Sequence, residues 1–480
     1  MWCWLAAAAT AAPLALDEAL EEALAANLEL RRARIALGLA DQALVRARAS
    51  FDPSLAGSLR ASGANAPNND QFVGQDVLRT SATSWSAALD QPLPTGGSVA
   101  LSWWESAASS NALDVIRGDT VSDTVSLSLR QPLLRGTTAL AGVALARSAR
   151  EDAALRWRSA VEQAMLDTSD GYWRLVSART TLDLAVRSRE IAEQSLAEAQ
   201  ERYDEGFAGT GDVLQVERAL GAARQEEVVA RAEVEAAEQA LRRLLGRSVA
   251  EVEPIEPTDA PARPDAVPDA DSVLALARDG NAAWLLQRNA ADRAHLARRV
   301  ARNAALPDLS VDAGLGRSGL GATAAEARQQ ALGGTYNDWS VGASVAVPLP
   351  GRALRADLAA ASLEAADAEL ALAAAEQDLV LQVQEAVRQA ERDRLRVALA
   401  GDTVRYAQLA LEADQELLRE GKGATRNVVD SLEALDRETA AELAALIDLQ
   451  RSLLELKRVA GTLVDPGLHT SSPGGPGADG

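Results

Sequence analysis

The sequence predicts a mixed α and β membrane protein that contains two internal structural repeats, and three observations lead to this fold class. A set of residues recurs 254 positions later, several long segments contain no proline, and short segments alternate between apolar and small polar residues. A recurrence of this size indicates two similar structural units within one chain. Each unit is predicted to run from a helix, through alternating strands, to a long helical hairpin.

The recurrence divides the chain into two repeats. The recurring residues are Asp17, Asn27, Pro53 and Trp85, which reappear as Asp271, Asn281, Pro307 and Trp339. The first repeat spans residues 16–253, and the second spans residues 271–465. The linker between them, 254–270, is rich in proline and acidic residues, so we expect it to be extended. The tail, 466–480, is predicted to be disordered.

The composition disfavours some classes of function. The chain has 480 residues and a formal charge of −21, which disfavours nucleic acid as a partner because a polyanion needs a basic surface. The same charge suits a water-filled tube that prefers cations. The single cysteine, Cys3, has no partner for an internal disulfide. No apolar run after the N-terminus is long enough to predict a membrane-spanning helix.

Residues 1–15 are predicted to form a secretion signal. The segment combines an apolar stretch with small residues, and we expect cleavage after Ala12 or Ala15. It lacks the lysine or arginine that usually opens such a signal, so an apolar tail is the alternative. Cys3 lies too close to Met1 for a lipoprotein cleavage site, and we therefore predict no lipidation.

Long helices are predicted where apolar residues keep helical spacing. Each repeat opens with one helix of about nine turns, and Asp17 is expected to cap the first of them, which ends before Pro53. A long helical hairpin closes each repeat, at 140–246 and 353–462, and each hairpin bends at a glycine-rich segment. The helices of these hairpins are predicted at 140–203, 212–246, 353–420 and 427–462.

Strands with period-two alternation are predicted within 55–134 of the first repeat and within 309–349 of the second. In one of them, Val125, Leu127 and Leu129 alternate with Ser126, Ser128 and Arg130. Such strands belong either to a half-buried sheet in a soluble sandwich or to a membrane barrel with lipid outside and water inside. The segments are long enough for a tilted strand to cross a bilayer.

The number of strands determines how such a barrel would close. One chain supplies four to six strands, whereas the smallest natural membrane barrels have about eight. An open strand edge cannot face lipid, because its N–H and C=O groups would have no hydrogen-bond partners. If these strands span a membrane, several chains must therefore close one barrel.

Several segments resemble those of the TolC-like outer-membrane efflux proteins. These segments are LDEALEEALAANLEL (16–30), SLRQPLLRG (128–136), ERYDEGFAGTGDVLQVERAL (201–220) and LLREGKGATRNVVDSLEAL (417–435). The resemblance covers residues 16–465. It implies a homotrimer whose chains close one transmembrane β-barrel of about twelve strands, continuous with a long periplasmic α-helical coiled-coil barrel.

The resemblance also implies a function and partners. Proteins of this kind are outer-membrane channels, the exit ducts of tripartite efflux or type I secretion systems. They dock with a periplasmic adaptor (membrane fusion) protein and an inner-membrane transporter, and they sit in outer-membrane lipid with most of their mass in the periplasm. They perform no catalysis and need no cofactor.

The two glycine-rich bends are then implied to be the inner tips of the tunnel, where the adaptor docks. Gly206 and Gly209 open the first bend, and Asp212 is expected to cap the helix that returns from it. Gly421 and Gly423 open the second bend.

Family members carry acidic residues just past the second bend that project into the pore as a ring. The spacing from Gly421 places these positions on Asn427 and Asp430, with Glu433 one turn later. Asn427 breaks the acidic pattern and is expected to cap the returning helix, which leaves Asp430 as the preferred ring residue. The alternative for Asp430 is a solvated helix residue. Arg426 is a candidate gate residue that pairs with an acid on the next helix, or else an exposed cation in a loop.

The first strand region departs from the family pattern. It contains four alternating segments, whereas the family has two. The four segments of this chain lie at 55–62, 80–92, 97–105 and 121–134. The additional hairpin either widens the barrel or decorates one end of it. We favour the family's four barrel strands per chain and keep six as the alternative.

An elongated coiled-coil scaffold or surface adhesin of the cell envelope, without transport activity, is the alternative function. It would explain the long helices, but it does not explain alternating strands at a fixed place in each repeat. An enzyme is disfavoured, because the chain has only two histidines, His295 and His469, and neither a metal-ligand cluster nor a phosphate-binding glycine loop. We expect no metal site.

Overall fold

The computed structural model describes residues 12–68, 74, 76–112, 119–136, 138–206, 209–248, 253–263, 266–420, 422 and 425–464. The chain forms two compact units, and each unit takes residues from both sequence repeats. The helical unit comprises Met1–Leu37, Ala153–Gln287 and Leu372–Gly480, and the sheet unit comprises Gly38–Asp152 and Arg288–Ala371.

The elements follow the predicted order of helix, strands and helical hairpin. The first are β1 (Ala12–Leu14), α1 (Leu16–Ala26), α2 (Leu28–Arg48), a 3-10 turn (Ala49–Phe51), β2 (Ser54–Pro67), β3 (Val77–Pro92), β4 (Ser98–Ser110), β5 (Asp119–Pro132), α3 (Thr138–Asp204) and α4 (Thr210–Leu245). They are followed by β6 (Ile255–Pro257), α5 (Ala270–Gly280), α6 (Ala282–Ala304), β7 (Asp308–Gly321), α7 (Ala324–Gly333), β8 (Tyr336–Ala346), α8 (Arg352–Arg419) and α9 (Thr425–Ala460). The ends of α3, α4, α8 and α9 lie within two residues of the predicted bounds.

The prediction that each repeat opens with one uninterrupted helix is wrong. The first helix breaks at Asn27, whose ψ of 127° lies outside the helical range. The Asn27 side chain accepts a hydrogen bond from the backbone N–H of Glu29 at 2.8 Å, and its amide donates to the carbonyl oxygen of Leu244 at 3.1 Å. Asn27 therefore caps the start of α2 and also binds the end of α4.

The same arrangement occurs in the second half, where Asn281 separates α5 from α6. Its side chain accepts a hydrogen bond from the backbone N–H of Trp284 at 3.0 Å and donates to the carbonyl oxygen of Val459 at 3.0 Å. The two asparagines that recur at the 254-residue step thus bind the ends of α4 and α9 in the same way.

The expectation that Asp17 caps the first helix is also wrong. Helix α1 begins at Leu16, and its N-cap residue is Ala15, which has no side chain that could accept a hydrogen bond. The Glu18 carboxylate accepts from the backbone N–H of Ala15 at 3.3 Å. Asp17 lies in the first helical turn, where its charge favours the positive end of the helix dipole.

The N-terminal strand belongs to the core of the helical unit. β1 pairs in parallel with β6, and the buried Leu14 packs in a cluster with Tyr172, Leu241 and Leu245. The Tyr172 hydroxyl donates to the carbonyl oxygen of Leu14 at 3.0 Å. A mature chain that began at Leu16, as predicted for cleavage after Ala15, would lack this strand and its contacts.

Two arginines of the long helix α3 form ion pairs with glutamates of α4. Arg179 donates to Glu238 at 2.9 Å, and Arg189 lies 2.7 Å from Glu227. The carboxylate of Glu193 also accepts from Arg189 at 2.8 Å. Ion pairs therefore replace apolar contacts along this part of the α3–α4 hairpin.

The sheet unit contains one antiparallel sheet of six strands, in the order β2-β3-β4-β5-β7-β8. The sheet of one chain thus has six strands where four were favoured, and the number of these strands that belong to a barrel stays a prediction. Both additional strands are fully paired, because β4 matches β3 over 13 residue pairs and β5 matches β7 over 12. Among the described residues, no helix has the combination of length and apolar character that would cross a membrane.

Candidate channel surfaces

One face of the six-stranded sheet is apolar. The strand register aligns one residue from each strand in a single row across this face, namely Leu55, Leu89, Leu101, Leu127, Leu315 and Trp339. All six side chains are exposed, from 42% for Leu127 to 79% for Leu55. An exposed and continuous apolar row of this kind marks a surface that contacts lipid or another protein.

The opposite face carries small and hydroxyl side chains. Hydroxyl groups of neighbouring strands meet across it, at 2.9 Å between Ser58 and Ser86 and at 2.6 Å between Ser102 and Ser126. A cavity of about 1230 Å³ opens on this face and is lined by residues of all six strands, including Ser62, Thr80, Ser110, Ser122, Ser318 and Tyr336. The sheet therefore curls toward its hydroxyl face.

The two outer strands, β2 and β8, each have one neighbour in the sheet. In the part of the chain that the structure describes, the other edge of each strand pairs with no strand, and the side chains of both strands are exposed along their whole length. Unpaired edges cannot remain in lipid, because each unsatisfied backbone group costs several kcal/mol there. The sheet is thus an open segment of a larger structure if its apolar face contacts lipid.

A buried ionic cluster interrupts the apolar face where β4 and β5 pair near the start of β5. Glu105 and Asp123 are cross-strand partners, and the indole N–H groups of Trp85 and Trp103 donate to them at 3.0 and 2.9 Å, respectively. Asp123 is only 1% exposed. Arg328 of α7 donates to Glu105 at 2.7 Å and lies 3.9 Å from Asp123, so one guanidinium serves two carboxylates.

Helix α7 covers this cluster and was not predicted. It packs against β5 and β7, and a Cβ atom at Gly319 would collide with the carbonyl oxygen of Ala327. Thr323 caps its start, and Glu326 accepts from the backbone N–H of Ala322 at 3.0 Å. Thr323 followed by Glu326 is a capping-box spacing, which is the local signal from which α7 could have been found.

The first helical bend is described in part. Gly206 adopts a φ of +81°, a left-handed conformation that glycine tolerates, and ends α3 as predicted for a bend residue. Helix α4 begins at Thr210, so Gly209 immediately precedes the helix and Asp212 is its third residue. The expectation that Asp212 caps this helix is therefore wrong. Its side chain lies outside the described part of the structure.

The second helical bend lies mostly outside the described residues. Gly421 and Gly423 are among the residues that the structure does not describe, and so is the side chain of Arg426. Helix α9 begins at Thr425, two residues before Asn427. The expectation that Asn427 caps the helix is wrong, because a capping residue precedes the first helical turn.

The candidate ring residues share one exposed side of α9. Asn427, Asp430 and Glu433 are all exposed, and they follow one another at three-residue intervals near the start of the helix. Residues three apart lie on the same side of a helix. One residue after Asp430, the hydroxyl of Ser431 donates to Asp414 of α8. The two helices of this hairpin are therefore joined by a hydrogen bond at this point.

Comparison with known protein families agrees with a role for these surfaces in an outer-membrane protein. A profile of outer membrane efflux proteins matches residues 19–247 and 273–462, and the unmatched segment between them contains the whole proline-rich linker, 254–270. The chain belongs to the outer membrane efflux protein family. No curated protein sequence matches this chain.

Solved structures of outer-membrane channels have the same fold as this family member. The Campylobacter jejuni CmeC outer membrane channel is 16% identical, with a TM-score of 0.67, and the match covers 93% of this chain and 86% of that one. The open state of the Neisseria gonorrhoeae MtrE outer membrane channel is 18% identical, with a TM-score of 0.64 and coverage of 93% and 89%. The outer membrane protein VceC of Vibrio cholerae is 16% identical, with a TM-score of 0.64 and coverage of 93% and 96%.

Proposed function

We propose that this chain is the outer-membrane exit duct of a tripartite efflux or type I secretion system and acts as a homotrimer. The open six-stranded sheet supports this proposal most strongly. It has an apolar face for lipid, a hydroxyl face for water and two unpaired edges, so copies of the same chain can pair β2 of one with β8 of the next. Both halves of each copy contain strands followed by a helical hairpin.

The helical unit also offers a surface for self-association. Leu381, Leu399 and Leu417 of α8 are exposed and are spaced 18 residues apart, which is about five turns of an α-helix. They therefore lie in one line along the helix. The exposed residues Glu385, Arg388 and Arg392 lie on the same side of α8 between Leu381 and Leu399, so this surface offers both apolar and charged groups to a neighbouring copy.

The location and partners follow from this arrangement. The sheet lies in the outer membrane, and the long helices extend into the periplasm with most of the mass. The ends of the α3–α4 and α8–α9 hairpins, marked by Gly206, Gly209, Asp212, Gly421 and Gly423, dock the periplasmic adaptor protein, which connects the duct to an inner-membrane transporter. Neither a cofactor nor catalysis is part of this function.

Near the second hairpin end, three copies of Asp430 form a ring of carboxylates in the pore, and Glu433 extends it by one turn. Asn427 lies on the same exposed side but carries no charge, and Arg426 lies beside the ring as a gate residue. The exposure of this side of α9 supports the assignment. A ring of carboxylates attracts cations and repels anions.

The ring predicts the ion selectivity of the channel. In planar bilayers, the Asp430→Asn variant is expected to lower the cation-to-anion permeability ratio by roughly two- to ten-fold, because each substitution removes three charges from the pore. The control is Glu391→Gln, which neutralises an exposed carboxylate of α8 far along the chain from the bend. Equal reversal potentials for wild type and Asp430→Asn would rule out the ring, and a chain that forms no channel at all would rule out the duct.

A further inference from the structure

The two halves of the chain differ by one hairpin. The 254-residue step relates the strands of the two halves, because Ser54–Pro67 and Asp308–Gly321 have bounds exactly that far apart. At the start of the long helices the step is smaller, since Thr138 of α3 corresponds to Arg352 of α8, 214 residues later. The first half therefore contains 40 additional residues between β3 and α3, which are residues 98–137.

The additional segment repeats the hairpin before it. Gln91, Pro92, Leu93 and Gly96 reappear 40 residues later as Gln131, Pro132, Leu133 and Gly136. The repetition extends to contacts, because the side-chain amide of Gln91 donates to the carbonyl oxygen of Pro92 at 2.9 Å and that of Gln131 donates to Pro132 at the same distance. Strands β4 and β5 are thus a second copy of the β2–β3 hairpin.

The second copy lies in the middle of the sheet. In the strand order, β4 and β5 separate β3 from β7, and both are paired along their length with neighbours on each side. A hairpin that decorated one end of a barrel would leave β3 paired with β7. In the structure, β3 pairs with β4, and β7 pairs with β5.

The second copy also continues both faces of the sheet. Leu101 and Leu127 stand between Leu89 and Leu315 in the apolar row, and on the other face Ser102 and Ser126 continue the hydroxyl surface. At 13 and 14 residues, β4 and β5 are within one residue of the length of β7 and exceed the length that a tilted strand needs to cross a bilayer. With one apolar face and one hydroxyl face, β4 and β5 suit a barrel wall that separates lipid from water.

We propose that the duplicated hairpin is part of the pore wall and that the channel has six barrel strands per copy, so that three copies close a barrel of eighteen strands. This proposal rests on the trimeric duct proposed above. With strands about 4.8 Å apart and tilted by about 40°, eighteen strands enclose a backbone diameter of about 36 Å, compared with about 24 Å for twelve strands. The outer exit then passes solutes that a four-strand-per-copy barrel would exclude.

Engineered disulfides test the strand order within one chain. Thr124 of β5 and Ser318 of β7 are register partners on the hydroxyl face, so the Thr124→Cys/Ser318→Cys variant is expected to form an intrachain disulfide. The matched control is Ser86→Cys/Ser318→Cys, which pairs the same β7 position with β3, three strand spacings and about 14 Å away. Both variants carry Cys3→Ala, which removes the native thiol.

The readout is the disulfide state of membrane-inserted protein after mild oxidation. A disulfide in the Thr124/Ser318 variant and none in the Ser86/Ser318 variant supports the proposal, and any other combination overturns it. This result does not depend on the number of copies, because each disulfide lies within one chain. The mass of the inserted assembly tests the trimer separately.

Pore width gives a second test. A variant that lacks residues 98–137 joins Gly97 directly to Thr138, as Gly351 joins α8 in the second half. With poly(ethylene glycol) added from the outer side in planar bilayers, the full chain is expected to admit polymers with a cut-off diameter about 1.5 times that of the shortened variant. An equal cut-off overturns the proposal. If the shortened variant does not fold, the cut-off diameter of the full chain alone tests the proposal. A cut-off that matches a barrel of about twelve strands contradicts a barrel of eighteen strands.

Discussion

Replacement of Leu127 by arginine is expected to prevent stable insertion of the assembly into the outer membrane. Leu127 lies near the middle of β5, and its register partners on the apolar face are Leu101 and Leu315. An arginine on the lipid face near the middle of a barrel costs about 2–4 kcal/mol. A trimer contains three such sites, so the cost is incurred three times. The measurement is the amount of heat-modifiable oligomer recovered from outer membranes.

The neighbouring residue provides a matched control. Ser126 belongs to the same strand but lies on the hydroxyl face, where its side chain meets Ser102 at 2.6 Å. The Ser126→Arg variant places the same charge in the proposed water-filled lumen and loses one hydrogen bond worth about 1 kcal/mol. We expect it to insert normally. If the Leu127→Arg variant inserted into the outer membrane and the Ser126→Arg variant did not, the lipid face and the lumen face would have been assigned the wrong way round.

Replacement of Arg158 by methionine is expected to destabilise the helical unit by about 3–5 kcal/mol. Arg158 and Glu162 form an ion pair on α3 with an N–O distance of 3.1 Å, and each side chain is only 4% exposed. Arg158 also donates to the carbonyl oxygen of Gly461 at the end of α9. Without the guanidinium, Glu162 is a buried carboxylate that has lost its ion-pair partner. Thermal unfolding followed by circular dichroism measures the loss.

The double variant Arg158→Met/Glu162→Leu separates the ion pair from general packing. Removing both charges is expected to recover most of the lost stability, because an apolar pair of similar size requires no compensation for a buried charge. An Arg158→Met variant as stable as the wild type would mean that the pair contributes nothing to the fold. A double variant no better than the single one would attribute the loss to packing.

The loss of stability in Arg158→Met is expected to depend on pH in a defined direction. Burial raises the pKa of Glu162 above its ordinary value, and the nearby Arg158 guanidinium partly opposes this rise. A raised pKa means that the folded state binds the proton more tightly than the unfolded state. Lowering the pH from above the pKa of the folded state to the ordinary pKa of glutamate therefore stabilises the fold. In Arg158→Met the opposing charge is gone and the pKa is higher still. The difference in stability between variant and wild type should therefore shrink as the pH falls.

Much of the architecture could be predicted from local patterns in the sequence. Val125, Leu127 and Leu129 alternate with small or polar residues because a strand between two environments has a period of two. The long proline-free segments predicted the helices of both hairpins to within two residues. The open sheet edges follow from a strand count that is too small for one chain to close a barrel.

The parts that the sequence did not predict depend on residues far apart in the chain. The break at Asn27 is stabilised by the carbonyl of Leu244, which is 217 residues away, so no neighbouring residue signals it. The ion pair between Arg328 and Glu105 joins residues 223 positions apart, and α7 was missed although its capping residues were present. The favoured four strands are fewer than the six of the sheet, because the family pattern outweighed the four alternating segments that the chain itself shows in its first strand region. The caps expected at Asp212 and Asn427 failed because both helices begin two residues earlier.

The mass of the membrane-inserted species tests the central claim most directly. One chain presents an open sheet whose outer strands, β2 and β8, each lack a second neighbour among the described residues, and we propose that copies of the chain complete the barrel. Native mass spectrometry of the protein extracted from outer membranes is predicted to show an assembly of three identical chains. An inserted and conducting species that contains a single chain would contradict the account.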